Sequence, residues 1–309
     1  MTSRHVYPPA RVILPLLCLF MLAGMLSTPT FAQQQTQPAK RGEKKQICIT
    51  FDELPAARTF EEADRNALSY LVLETLDRHD VRAAGFVVGE TIGDDFDLLG
   101  EWLNRGHILG SMTYSHQDLH ELGIENFIND VGLGHDALEE MLRGFGQKKR
   151  YFRYPFLHYG TDSETKKQVS LYLEHLSCVI AHATVVPEDF LYNLTLEKLG
   201  KVPDSAEYDA LLNEYVNHVL DEIERCQLVA IDLVNRPVPQ ILLLRLNRLN
   251  AIYLDEMLTA IEDLGYSFVT LDQALRDEVY DMPEAYFGGR GVGYLDMLYM
   301  SDPDLIPAE

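Results

Sequence analysis

Apolar runs of strand length alternate with amphipathic helical stretches along nearly the whole chain, and that alternation narrows the fold more than any other feature. The first run, Ile47-Cys48-Ile49-Thr50-Phe51, ends at Asp52. A helical pattern follows with Leu68, Leu71, Val72 and Leu76 on one face, and Val81 to Gly89 returns as a strand. The spacing then predicts a helix around Leu98, Trp102 and Leu103, a strand over 107–110, a helix through Ile124, Phe127, Ile128 and Val131, and a strand over 150–156. A helix over 169–176 and a strand over 178–186 come next. The strongest helical pattern runs from about Ala206 to Arg225, followed by strands at Leu228 to Val234 and Gln240 to Leu244. A helix through Leu254, Met257, Leu258, Ile261 and Leu264 stops at Gly265, and Tyr266 to Leu271 closes the series. Such regular alternation with short connections implies parallel strands joined by helical crossovers. A single α/β domain is predicted, either a barrel or an open doubly wound sheet.

Composition excludes some functions without naming one. The 309 residues are 47% hydrophobic, enough for a substantial core, and the 10% of aromatic residues are spread along the chain, which argues against disorder. A net charge of −22 argues against a nucleic-acid binder and disfavours docking on anionic lipid. No G-x-G-x-x-G or G-x-x-x-x-G-K motif is present.

The first thirty-two residues read as a secretory signal peptide. Arg4 and Arg11 precede the apolar stretch from Val12 to Ala23, and small and turn-forming residues lead to Thr30-Phe31-Ala32. Pro15, Gly24 and Pro29 interrupt the run, which makes cleavage a better reading than a retained anchor. Cleavage near Ala32 would leave 277 residues with a net charge of −24, exported to the periplasm or beyond. Residues 33–45 form a polar, Gln-rich linker, 46–280 the folded domain, and 281–309 a tail whose aromatics and glycines suit either a packed cover or a sugar-stacking lip. Of the four cysteines, Cys48, Cys178 and Cys226 would remain, an odd count whose spacing matches no zinc motif, so no disulfide framework is expected.

Polar residues follow the apolar runs at Asp52-Glu53, Met112 to His116, Arg153, Glu188-Asp189 and Arg245. In a barrel they share the rim at the strands' C-terminal ends, where active sites lie. Taken singly they are weak signals, since a carboxyl pair after a strand is more often a turn or helix cap. Their local sequences are more specific. Thr50-Phe51-Asp52-Glu53-Leu54-Pro55, Thr113-Tyr114-Ser115-His116-Gln117-Asp118-Leu119, Tyr151-Phe152-Arg153-Tyr154-Pro155-Phe156 and Ile241-Leu242-Leu243-Leu244-Arg245 occur in that order. With Gly265 to Leu271 they resemble the polysaccharide deacetylase (NodB-homology) family over about Gln46 to Leu275. That family's motifs read TFDD, H(S/T)xxH, an RxPxG-like segment, an aspartate near a Trp, and LLLH.

The resemblance implies a distorted (β/α) barrel of about seven parallel strands. It also implies metal-dependent removal of an acyl group, usually N-acetyl, from a carbohydrate, with zinc the foremost candidate ion. Asp52 takes the place of the catalytic base, Arg153 that of the arginine orienting it, and Asp189, followed by Phe190 instead of Trp, that of the fourth motif. Three positions depart from the pattern. Glu53 replaces a metal-binding aspartate, Met112 replaces the first histidine of the pair, and Arg245 replaces the general-acid histidine. A thioether is a poor zinc ligand, and a guanidinium cannot give up a proton at working pH. Glu53 and His116 are left as the matching ligands, fewer than catalytic zinc takes. His120, four residues beyond His116, would restore a third ligand if both imidazoles shared a helix face, whereas the plainer reading makes it a solvent-facing helix residue. Two functions therefore remain: an exported carbohydrate deacetylase-like hydrolase, or a catalytically impaired relative that binds a glycan or a protein partner.

Overall fold

Gln46–Leu54 reads QICITFDEL, buried from Ile47 through Asp52 and mostly apolar there, the pattern of a parallel strand covered on both faces. In the computed structural model, which describes residues 44–56, 62–200 and 206–301, this strand, β1, lies inside the sheet, paired with three other strands. Helix α1 (Glu62–Arg78), β2 (Ala84–Val87), α2 (Phe96–Asn104) and β3 (Ile108–Ser111) follow. Next come the short α3 (Leu119–Leu122), α4 (Ile124–Gly144), β4 (Arg150–Phe152), α5 (Ser163–His175) and β5 (Cys178–Ile180). The second half contains α6 (Asp189–Leu199), α7 (Ala206–Val234), β6 (Gln240–Arg245), α8 (Arg248–Asp263), β7 (Ser267–Phe268), α9 (Leu271–Ala274) and α10 (Tyr294–Met300).

The seven strands are parallel, in the order β5-β4-β3-β2-β1-β6, with β7 joining the beginning of β1. The stretch after β5 closes the ring. Ala181 N–H donates to Phe152 O on β4 (2.8 Å), Thr184 N–H to Ile241 O on β6 (2.9 Å), and Leu243 N–H to Val185 O (3.0 Å). One segment thus spans from β4 to β6, and the expected single α/β domain is a distorted barrel. Its closure brings the C-terminal ends of β1, β3, β4 and β6 around one rim.

One sequence expectation is overturned. The run Leu228 to Val234 is not a strand but the end of α7, which extends through 29 residues. Its β-branched composition suggests a strand, yet burial follows helical spacing through Val219, Ile223, Cys226, Gln227 and Ala230, while Leu228 faces solvent. Cys48, Cys178 and Cys226 are free thiols. Burial pushes the Cys48 and Cys226 thiols up to about 12, which leaves them inert at neutral pH. Helix α10 lies against the barrel: Tyr294 N–H donates to Ala183 O (2.7 Å), and Tyr294, Leu295 and Met297 are buried. The expected signal peptide and most of the linker lie outside the described residues.

Candidate active site

Parallel pairing sets the first relationship in the site: Asp52 of β1 and Arg245 of β6 are register partners at the rim. Asp52 is buried against Arg153, whose Nη1 donates to Asp52 Oδ1 and Thr50 Oγ1, each at 2.7 Å, while its Nε donates to Ala181 O (3.0 Å). The Arg153 guanidinium also lies over the Phe86 ring at 4.1 Å. Loss of solvent pushes the Asp52 carboxyl pKa up, and the Arg153 charge works against that shift.

Arg245 makes the second cluster. Its Nη1 donates to Asp189 Oδ1 (2.6 Å) and its Nε to Glu53 Oε1 (3.2 Å), so one guanidinium ties β6 to both carboxylates. Asp189 is fully buried and also accepts from Arg245 N–H (2.7 Å), Asn247 Nδ2 (3.2 Å) and Asn250 Nδ2 (2.5 Å). Burial opposes the Arg245 charge, but Asp189 and Glu53 outweigh it and hold the guanidinium protonated more firmly than usual. Glu53 sits at φ 62°, a left-handed conformation that aspartate tolerates better than glutamate.

The loop after β3 carries Met112, Thr113 and His116, with Thr113 at φ 61° and His116 at φ 57°. It is pinned from several directions. Gly89 N–H donates to Thr113 O (3.0 Å), Tyr114 N–H to Asp130 O (3.0 Å), Ser115 Oγ to Asp130 Oδ2 (2.9 Å) and His116 N–H to Thr113 Oγ1 (3.0 Å). His116 lies against the Phe156 ring (4.9 Å), its Nε2 buried without a hydrogen-bond partner. Burial lowers its pKa, and the Arg245 charge adds to that effect, so the imidazole is neutral at pH 7.

Asp52, Glu53, Met112, His116, Phe156, Glu188, Phe190 and Arg245 line one cavity of about 150 Å³. The closure therefore gathers Asp52, Glu53, His116, Arg153, Asp189 and Arg245 as the sequence motifs suggest. It does not assemble a fitting metal site from them. Where the motif has a histidine, Met112 is buried among apolar groups; Glu53 is held by a guanidinium; and that fixed positive charge disfavours a second cation. His116 offers a lone nitrogen, but two protein donors fall short of a zinc site.

His120 does not complete the set. His116 is in a loop, α3 begins only at Leu119, and so the two imidazoles do not share a helix face. His120 instead stacks on His158 at 4.1 Å, beside Asp118. Among the described residues, Asp118, His120 and His158 are the one trio of carboxylate and imidazole groups with donor atoms within 4.8 Å of one another. Sequence reasoning missed His158, which no local motif marks and which reaches the trio through the turn after β4. It also missed Asn247 and Asn250, although Asn247 carries the usual signature of a helix N-cap and does cap α8. A larger cavity of about 360 Å³, lined by Tyr159, Lys166, His182, Glu284 and Tyr294, lies away from these residues, between α5 and the segment before α10.

Comparison with known proteins agrees with this geometry. The polysaccharide deacetylase family model matches residues 39–172. An uncharacterized 30.6 kDa protein of Geobacillus stearothermophilus is 21% identical over 244 residues, 79% of this chain and 76% of that protein. The peptidoglycan-N-acetylglucosamine deacetylase PgdA of Listeria monocytogenes is 25% identical over 248 residues, and the matched region spans 80% of this chain but only 42% of the Listeria protein. Among solved structures, a CE4 family pseudoenzyme from Bacillus anthracis superposes with a TM-score of 0.53 at 17% identity, over 75% of this chain and 66% of that one. A mutant of that pseudoenzyme, described as having restored enzymatic activity, aligns with the same TM-score at 18% identity. No described helix is long and apolar enough to cross a membrane. With the ordered motifs and the barrel rim, these matches make the chain similar to the polysaccharide deacetylases, most directly over residues 39–172.

Proposed function

We propose that this protein binds an N-acetylated glycan in the rim cavity without hydrolysing it. The observation that carries the reading is the Arg245 bridge between Asp189 and Glu53. Amide hydrolysis of this kind calls for a metal-activated water and an acid for the leaving amine. Arg245 supplies no transferable proton and holds a carboxylate that a metal would need. Binding groups remain. Phe156 and Phe190 flank the cavity and are 47% and 42% exposed, offering ring faces to sugar C–H groups, while Glu53, His116 and Arg245 offer polar contacts. The names of the peptidoglycan-N-acetylglucosamine deacetylase relatives supply the ligand class. The sequence from Arg4 to Ala32 supports action after export.

A second reading, zinc-dependent removal of the N-acetyl group, is favoured by the intact pair of Asp52 and Arg153. Calorimetric titration with N-acetylated oligosaccharides, alongside an acetate-release assay with zinc, cobalt or nickel, separates the two. Binding without acetate release is expected. Acetate release that disappears in Asp52→Asn would establish the second reading, and absence of both binding and release would remove both.

A further inference from the structure

We propose that Asp118, His120 and His158 form a divalent-cation site of their own, across the Phe156 ring from the rim cavity. Asp118 Oδ1 accepts from His120 N–H (2.9 Å) and lies 2.8 Å from His158 Nδ1. The His120 and His158 rings are 4.1 Å apart and inclined by 10°. Helix capping explains the contact of Asp118 with the His120 backbone, and hydrogen bonding explains its contact with His158. Neither explains why a second imidazole is stacked there, nor why His120 Nε2 is buried without a hydrogen-bond partner. Buried polar atoms of that kind call for a ligand, and a metal ion is the ligand that two imidazoles and a carboxylate suit.

Two nitrogens and one oxygen match the three protein ligands of an open, four-coordinate site for zinc or a similar borderline cation such as cobalt or nickel. The three side chains are each only half-buried, so an ion can enter. With the rings nearly parallel, one imidazole must turn about its Cβ–Cγ bond to aim both lone pairs at one ion. An open cavity of about 580 Å³ lined by His116, Gln117, Asp118, Glu121, Leu122 and Phe156 borders the trio at Asp118 and leaves room for water on the free positions. Phe156 stands between the trio and the rim cavity, with its centroid 4.9 Å from His116 and 6.0 Å from His158. The trio shares no residue with the Glu53 and His116 pair, so the two sets of donors can be tested apart.

The test is zinc binding to the full chain after chelator treatment, followed by calorimetry and elemental analysis, with the d–d spectrum of cobalt as a second readout. One equivalent is expected, with affinity reduced at least about tenfold in His120→Ala and in His158→Ala. Glu53→Gln and His116→Ala should bind within about twofold of the unaltered chain. Circular dichroism of each variant shows whether it is folded, and Asp118→Asn serves in place of any that is not. Absence of zinc binding, or its loss in His116→Ala with retention in His120→Ala and His158→Ala, would overturn the proposal. Because no sugar is involved, the result is independent of whether the rim cavity binds a glycan.

Discussion

Arg245 Nη1 stands 2.6 Å from Asp189 Oδ1, and Asp189 has no exposed surface. A buried carboxylate without a cation beside it is costly, so this contact is structural before it is anything else. It also explains why Arg245 cannot simply swing aside to admit a metal. The same guanidinium reaches Glu53, and releasing it would leave Asp189 with only its amide donors from Arg245, Asn247 and Asn250.

Arg245→Met should therefore destabilise the fold by about 2–3 kcal/mol, less than the roughly 3–5 kcal/mol of a fully buried pair because a quarter of the Arg245 side chain remains in solvent (25%). Adding Asp189→Asn should cost less than the sum of the two single changes, with a coupling of about 1–3 kcal/mol. Urea denaturation of the four proteins of the cycle measures it. Additive single effects would show that the pair does not interact as the distances indicate.

Gly134 faces the site loop from α4. A Cβ there would lie 2.4 Å from Thr113 C and 2.6 Å from Thr113 O, against backbone that cannot yield without moving His116. Gly134→Ala should cost about 1–3 kcal/mol by overpacking and weaken any ligand of the rim cavity. Gly144, with open space around its Cβ position on the same helix, is the control. Gly144→Ala should leave binding unchanged, and equal effects of the two substitutions on binding would refute the role given to the Thr113 contact.

Much of this arrangement is legible in the sequence because the rim residues sit within short motifs whose order the barrel preserves. Asp52, Arg153 and Arg245 each follow an apolar strand, so their convergence can be anticipated. The roles of Thr50 and Asn250 cannot, since a lone polar residue in a strand or helix gives no sign of what it will meet across the fold. His120 shows the same limit more sharply. Its spacing from His116 suits a helix face, but Thr113 and His116 adopt left-handed backbone conformations that no period analysis anticipates, and the helix starts too late. Leu228 to Val234 fails for a different reason: β-branched residues suggest a strand, but packing of the long helix overrides that local preference.

Restoring the motif tests whether the rim cavity keeps the shape that hydrolysis needs. Glu53→Asp puts a residue that favours φ near 60° at that position, Met112→His supplies a second imidazole, and Arg245→His removes the bridging guanidinium while offering a group that titrates near neutrality. The triple variant, built on His120→Ala so that the other trio is silent, should take up one equivalent of zinc and release acetate from an N-acetylated oligosaccharide. Uptake of zinc without acetate release would place the remaining defect in ligand positioning. A folded variant that takes up no zinc would contradict the assignment of Glu53, Met112 and Arg245 as the positions that separate this chain from the metal-binding motif.

The stability of the fold should fall on acidification through His107, which lies at the entry to β3. His107 is buried against Trp102, and its Nδ1 accepts the Ala83 N–H at 3.1 Å, a bond that only an unprotonated Nδ1 can accept. Burial, reinforced by the nearby Arg82 charge, lowers its pKa to about 4, whereas in the unfolded chain it is about 6.5. Between those values the unfolded state binds more protons than the folded one. Stability from this group is therefore complete above about pH 6.5 and declines as pH falls toward 4, with a slope of at most about 1.4 kcal/mol per pH unit. His182, lowered to about 3 by burial, adds a slope of the same sign. His107→Asn keeps an acceptor close to the Nδ1 position and removes the titration. It should cost about 1 kcal/mol at pH 7 through lost packing, yet lose stability less steeply between pH 6.5 and 5 than the unaltered chain. Urea midpoints across that interval decide the matter, since equal pH slopes in the two proteins would mean that His107 accepts its proton in the folded state as readily as in the unfolded one.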